Sequence, residues 1–159
     1  MSTSVTAVRR PTAPGPPRAH RSVVAALGAG LVLTIATLAL PYLDRATSNV
    51  LAGHIHSGYP AMSPQEIDTA VTTYLIALTT VGTLGILCWV GSLWLAHHTP
   101  RWSPVVSSVV WLSATAVAVF ALTVTDTSGD TGLPAPLGWA GVTPCVAGLV
   151  AVVQQWRHR

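Results

Sequence analysis

From Thr69 to Ala96 the chain carries no charged or imidazole side chain. At about 1.5 Å of rise per residue, a helix over that run exceeds the ~30 Å hydrocarbon core of a bilayer. Ser63-Pro64-Gln65-Glu66 stands just before it. Ser63 suits an N-cap, Pro64 the first helical position, and Glu66 completes a capping box. Glu66 and Asp68 also meet the positive end of the helix dipole. His97 and His98 close the run, so the pattern predicts one long helix over 63–98 that contains a membrane span. Only 8% of the residues are charged and 50% are hydrophobic. Ordinary soluble domains carry about 25% charge, so this chain lacks the charge to cover a water-facing globule. The fold class expected is an all-α integral membrane protein.

Three more apolar runs complete the expectation of a four-transmembrane-helix antiparallel bundle: 22–43, 104–125 and 137–156, beside the long helix 63–98. They make one transmembrane domain over 22–156. Residues 1–21 hold Pro11, Pro14, Pro16 and Pro17 with Arg9, Arg10, Arg18 and Arg21, and no apolar periodicity. Such a segment is expected to be a disordered cytoplasmic tail near anionic lipid. Arg9-Arg10 resembles a twin-arginine signal, but the apolar stretch begins well downstream and no small-x-small cleavage site follows it.

The spans carry small residues at helical spacing. Ala26 and Gly30 share a face of the first, and Pro41 is placed to end or bend it. Gly82, Gly85, Trp89 and Ser92 share a face of the second, and Gly141, Cys145 and Gly148 one of the fourth. Pro144 removes the usual donor to the carbonyl of Ala140, so a bend is expected there. The short connection 97–103 predicts that the second and third spans are neighbours. Cys88 and Cys145 are expected at depths differing by roughly 13 Å, as buried free thiols.

Charge is one-sided. Four arginines precede the first span, Arg101 lies between the second and third, and Arg157 and Arg159 follow the fourth. Arg45 alone falls on the other side, with all five acids: Asp44, Glu66, Asp68, Asp126 and Asp130. The positive-inside rule then places both termini in the cytoplasm. Basic residues that are all arginine, with abundant Ala, Gly, Val and Pro, fit a GC-rich bacterial genome and the cytoplasmic (inner) membrane. The net charge of +3 does not signal nucleic acid, because no basic patch is interleaved with aromatics.

No Asp, Glu, Lys, Arg or His falls within the hydrocarbon part of any span. Ion-coupled transport generally needs a titratable group at membrane depth, and haem held between helices needs intramembrane histidines. Neutral hydroxyls such as Thr34, Thr37, Thr79, Thr80, Ser107, Ser108 and Thr115 remain, and each is expected to bond its own helix or a neighbour. No cofactor is implied. The connection 44–62, broken by Gly53, Gly58 and Pro60, offers the best chemistry. In an extended segment His54 and His56 would point the same way and could share a metal, with Asp44, Glu66 or Asp68 supplying oxygen. On a helix they would diverge. Asp126 to Gly132 loosely resembles a calcium loop but lacks its ligand pattern, and turn chemistry explains it better.

No Walker, G-x-S-x-G or H-E-x-x-H sequence occurs, so the leading expectation is non-catalytic. It is an accessory or scaffold subunit, whose partners are membrane lipids and either its own copies or another membrane protein. A second reading is a binding or transport protein for a small neutral or lipid-like ligand. It would use His54, His56, Tyr59 and Tyr74, with the Pro144 bend as gate. A third is an enzyme acting on lipid through His56 with Glu66 or Asp68, which requires those groups to converge.

Overall fold

The structure, a computed structural model, describes residues 18–99 and 101–157. Five helices follow in order: α1 (Arg18–Ala46), α2 (Val50–Gly58), α3 (Pro64–His98), α4 (Ser103–Thr123) and α5 (Ala135–Arg157). Among the described residues the only β feature is an isolated bridge between Thr125 and Thr131. The helices α1, α3, α4 and α5 are each long and apolar enough to cross a membrane. Many of their large apolar side chains point outward. Phe120, Val32, Ile76 and Leu87 are 66%, 65%, 64% and 62% exposed. An aqueous surface rarely tolerates apolar exposure on that scale, whereas lipid covers it at no cost.

The sequence explains the limits of α3. Ser63 takes the N–H of Glu66 on its hydroxyl while the Glu66 carboxylate takes the Ser63 backbone N–H, a complete capping box, and Pro64 follows at the first helical position. Helix α1 extends beyond the span at both ends. It begins at Arg18, so only residues 1–17 of the expected tail lie outside the described residues. It also continues through Pro41 to Ala46. Proline costs a helix one N–H bond and some bending, and the turn after Pro41 makes polar contacts on α3, Tyr42 with Thr79 and Arg45 with Thr72 and Asp68.

The most extensive packing is between α1 and α5, followed by α4 on α5 and α1 on α3. Helices α3 and α4 touch much less, despite their short connection. Two buried clusters occupy opposite ends. At one, Val23 and Leu27 at the start of α1 meet Ala96 at the end of α3 and Ala151 near the end of α5. At the other, Leu51 and Ile55 of α2 pack on Val71, Leu75 and Leu133. We refer to these as the basic end and the cap end.

Two indoles fill the interior between them. The Trp89 ring lies against Gly30, where a Cβ would come within 2.2 Å of it, and its N–H donates to Thr34 Oγ1 at 2.8 Å. Trp111 of α4 covers Gly148 and donates its N–H to the carbonyl of Cys145 at 2.9 Å. Gly30 and Gly148 are therefore sockets for indole rings. Gly82 and Gly85 face Leu38 and Thr34 of α1, as the small-residue stripe predicts. At the basic end, buried Ser103 donates to Gln155 Oε1 at 3.0 Å and Gln155 Nε2 donates to Ser107 at 3.2 Å. Cys145 is half-buried, but Cys88 is exposed on the outward side of α3. This corrects the expectation that both thiols are buried.

Candidate functional site

The polar groups gather at the cap end, and local chemistry explains how the chain turns there. After α1, Asp44 reaches forward: its carboxylate accepts the N–H groups of Val50 and Leu51 at 2.9 and 3.0 Å. Two of the unpaired donors at the start of α2 are thus satisfied from six and seven residues upstream. Asn49 supplies the left-handed turn, at φ 50°, which asparagine tolerates better than most residues. Leu51 and Ile55, four apart, share the face that is buried on α3. The connection 44–62 is mostly helical. Residues 44–46 belong to α1 and 50–58 form α2, a helix short enough for Gly53 to cost little.

Helical geometry separates the two histidines. Positions two apart on an α-helix diverge by roughly 200°, and His54 and His56 do so. His54 Nε2 lies 2.7 Å from the carbonyl oxygen of Thr131. A carbonyl only accepts, so Nε2 carries the hydrogen. His56 is exposed and lines a shallow open hollow of about 410 Å³ with Ala52, Gly53, Met62, Pro64 and Ile67. The extended arrangement that would let both imidazoles hold one metal is absent. Among the described residues no three His, Cys, Asp or Glu side chains are grouped to hold a metal ion.

The acids expected to help His56 have other partners. Glu66 is engaged by Ser63, whose hydroxyl and backbone N–H both lie 2.7 Å from Oε2. Asp68 pairs with Arg45 at 2.8 Å, and Arg45 also donates to Thr72. Neither carboxylate is hydrogen-bonded to His56.

What the cap does bring together is α2 and the connection between α4 and α5. Thr125 and Thr131 bridge, Gly129 at φ 92° makes the tip, and Asp126 Oδ1 accepts the N–H of Ser128 at 2.8 Å. This is the turn chemistry expected of Asp126 to Gly132. Three contacts tie the hairpin to α2: His54 to Thr131, Tyr59 hydroxyl to Thr127 hydroxyl, and Gly58 against Ser128. The Tyr74 hydroxyl sits beneath, 3.4 Å from where a Cβ on Gly132 would be. The Ser128 hydroxyl above all, with its N–H, the Tyr59 hydroxyl and nearby His54, holds the Asp126 carboxyl below its ordinary range. Hydrogen bonds to the charged form lower a carboxyl pKa in this way.

The carbonyl that Pro144 leaves without its usual donor is also secured. The carbonyl of Ala140, deprived of its donor, accepts Thr143 Oγ1 at 2.8 Å and Thr37 Oγ1 of α1 at 3.2 Å. With Trp111 bonded one turn further on, hydroxyls and an indole from three helices serve the backbone carbonyls around Pro144. Thr34, Thr79, Thr80 and Ser108 each donate to a carbonyl four residues back, as expected of span hydroxyls, whereas the Thr115 hydroxyl is buried without a hydrogen-bond partner, against that expectation. Reading by residue type missed Trp89 and Trp111. Their depth was the available signal, because membrane tryptophans favour the interface and a deeper one needs a partner for its N–H. No protein-family model matches the chain, and no match is found among curated proteins or solved structures.

Proposed function

We propose that this chain is a non-catalytic accessory or scaffold subunit of a bacterial cytoplasmic membrane. It is built as an antiparallel four-span bundle with both termini inside, and it assembles with its own copies or another membrane protein. The observation that carries the reading is an outward stripe on α3. Thr73, Ala77, Thr80, Leu84, Leu87 and Gly91 recur at steps of three and four, and all are exposed. Small residues in such a stripe allow a second helix to approach closely. Helices α3 and α4 have the least buried spans, 11% and 6% of their most apolar stretches. The groups that a catalytic or transport reading would need are engaged elsewhere, as with Glu66, Asp68 and the Ala140 carbonyl.

Gly91 gives a clean test, because a Cβ there meets nothing within 4 Å. Gly91→Leu leaves the bundle intact and blocks the stripe. In mild detergent the wild type runs as an oligomer, or crosslinks to a partner, and Gly91→Leu loses that association at unchanged or raised melting temperature. A wild type that is strictly monomeric and captures no membrane partner removes the proposal.

A further inference from the structure

The basic end has a second feature that the assembly reading does not use. Arg21 at the start of α1, His97 and His98 at the end of α3, Arg101 in the turn, and Arg157 at the end of α5 are all exposed there. Between them stand Trp94, Trp102 and Trp156, which are 59%, 64% and 48% exposed. The His98 ring stacks on Trp94 with centroids 4.7 Å apart and planes 19° from parallel. Its Nδ1 lies 3.0 Å from the Trp94 carbonyl, so Nδ1 holds the hydrogen.

All five acids of the chain lie at the cap end. From Asp68 to His98 along α3 is about 45 Å, several times the ~8 Å Debye length at physiological salt. The side-chain acids therefore leave the basic end with a net positive charge. We infer that the basic end is a collar for anionic phospholipid headgroups, with arginines on the phosphates and indoles at the boundary with the acyl chains. Arginine matches phosphate geometry, and tryptophan favours that boundary. The residues come from α1, α3, the α3–α4 turn and α5, so they ring the bundle. A lipid annulus fits a ring, whereas a single acidic protein would cover one side of it.

The test uses the full chain in nanodiscs of phosphatidylcholine with phosphatidylglycerol, released into mild detergent, with retained lipid identified by native mass spectrometry. The wild type retains phosphatidylglycerol about fivefold above its bulk fraction, the scale set by one arginine at an anionic surface. The triple variant R21Q/R101Q/R157Q loses that enrichment, while R21K/R101K/R157K keeps at least half of it and shows that charge is what is read. Arg45→Gln, at the cap end, leaves it unchanged. Equal retention of both lipids by the wild type overturns the inference, as does loss in Arg45→Gln as large as in the triple variant. Capture of an acidic protein by a wild type that shows no lipid preference overturns it as well.

Discussion

Gly30→Ala tests whether the indole at the bundle centre is held as the structure shows. A Cβ at position 30 would stand 2.2, 2.3 and 2.7 Å from three carbons of the Trp89 ring. Ordinary contacts begin near 3.4 Å, so the ring or the helix must retreat by more than an ångström. The ring cannot swing freely. Its N–H is bonded to Thr34 Oγ1, and that hydroxyl in turn donates to the Gly30 carbonyl at 2.8 Å. Overpacking on this scale costs about 1–3 kcal/mol. Losing the interhelical hydrogen bond adds roughly 0.6 kcal/mol in a membrane setting. The better helix propensity of alanine returns up to about 1 kcal/mol. The net expectation is a loss of roughly 1–3 kcal/mol. Gly28→Ala is the control, because nothing lies within 4 Å of its Cβ, and it should be neutral or stabilising. Unfolding in mixed micelles, followed by tryptophan emission, measures both variants. If Gly30→Ala proves as stable as Gly28→Ala with unshifted emission, the Trp89 socket is wrong.

Two further outcomes are expected. Beside Pro144, Thr37→Val or Thr143→Val alone should cost about 0.6 kcal/mol, because the other hydroxyl still serves the Ala140 carbonyl. Together they orphan that carbonyl and should cost about 1–3 kcal/mol, more than the singles combined, and adding Pro144→Ala should recover much of the loss by restoring an N–H. At the cap, the folded carboxyl of Asp126 titrates below its unfolded value. Its contribution is therefore fully present above the ordinary aspartate value of about 3.9 and is lost as pH falls through the lower folded value. Hydrogen exchange across 124–132, corrected for intrinsic rates, should show the hairpin loosening only in that acid range, and Asp126→Asn should remove the transition.

Much of this fold was legible because a bilayer imposes blunt rules. A run without charge must be a helix satisfied by its own backbone, so the spans could be placed from Thr69 to Ala96 and its counterparts. The start of α3 was equally plain, since Ser63, Pro64 and Glu66 act on their immediate neighbours. What resisted reading depends on distance along the chain. Asp44 caps α2 across the Asn49 turn, and no local pattern over 50–58 announces a helix, because its stability comes from Leu51 and Ile55 on α3. The pairing of α1 with α5 joins the two sequence ends of the bundle, and no spacing rule anticipates it. The short turn at 99–102 fixes where α3 and α4 meet but not how far they stay together.

The candidate chemistry failed to assemble for a related reason. His54 and His56 share a metal only in an extended backbone, and Asp44 removes that option by starting a helix beneath them. The same logic reverses at Pro144, where a liability read from sequence becomes a junction. Proline frees one carbonyl, lipid offers it no donor, and the unmet bond selects Thr37 from another helix together with Thr143. In a membrane each polar group not used locally must be satisfied across the bundle or cost several kcal/mol. The freed carbonyl is thus a reason for α1 to sit against α5, the most extensive helix contact among the described residues. Two hydroxyls, one from each helix, thus make of Pro144 a point where α1 is tied to α5.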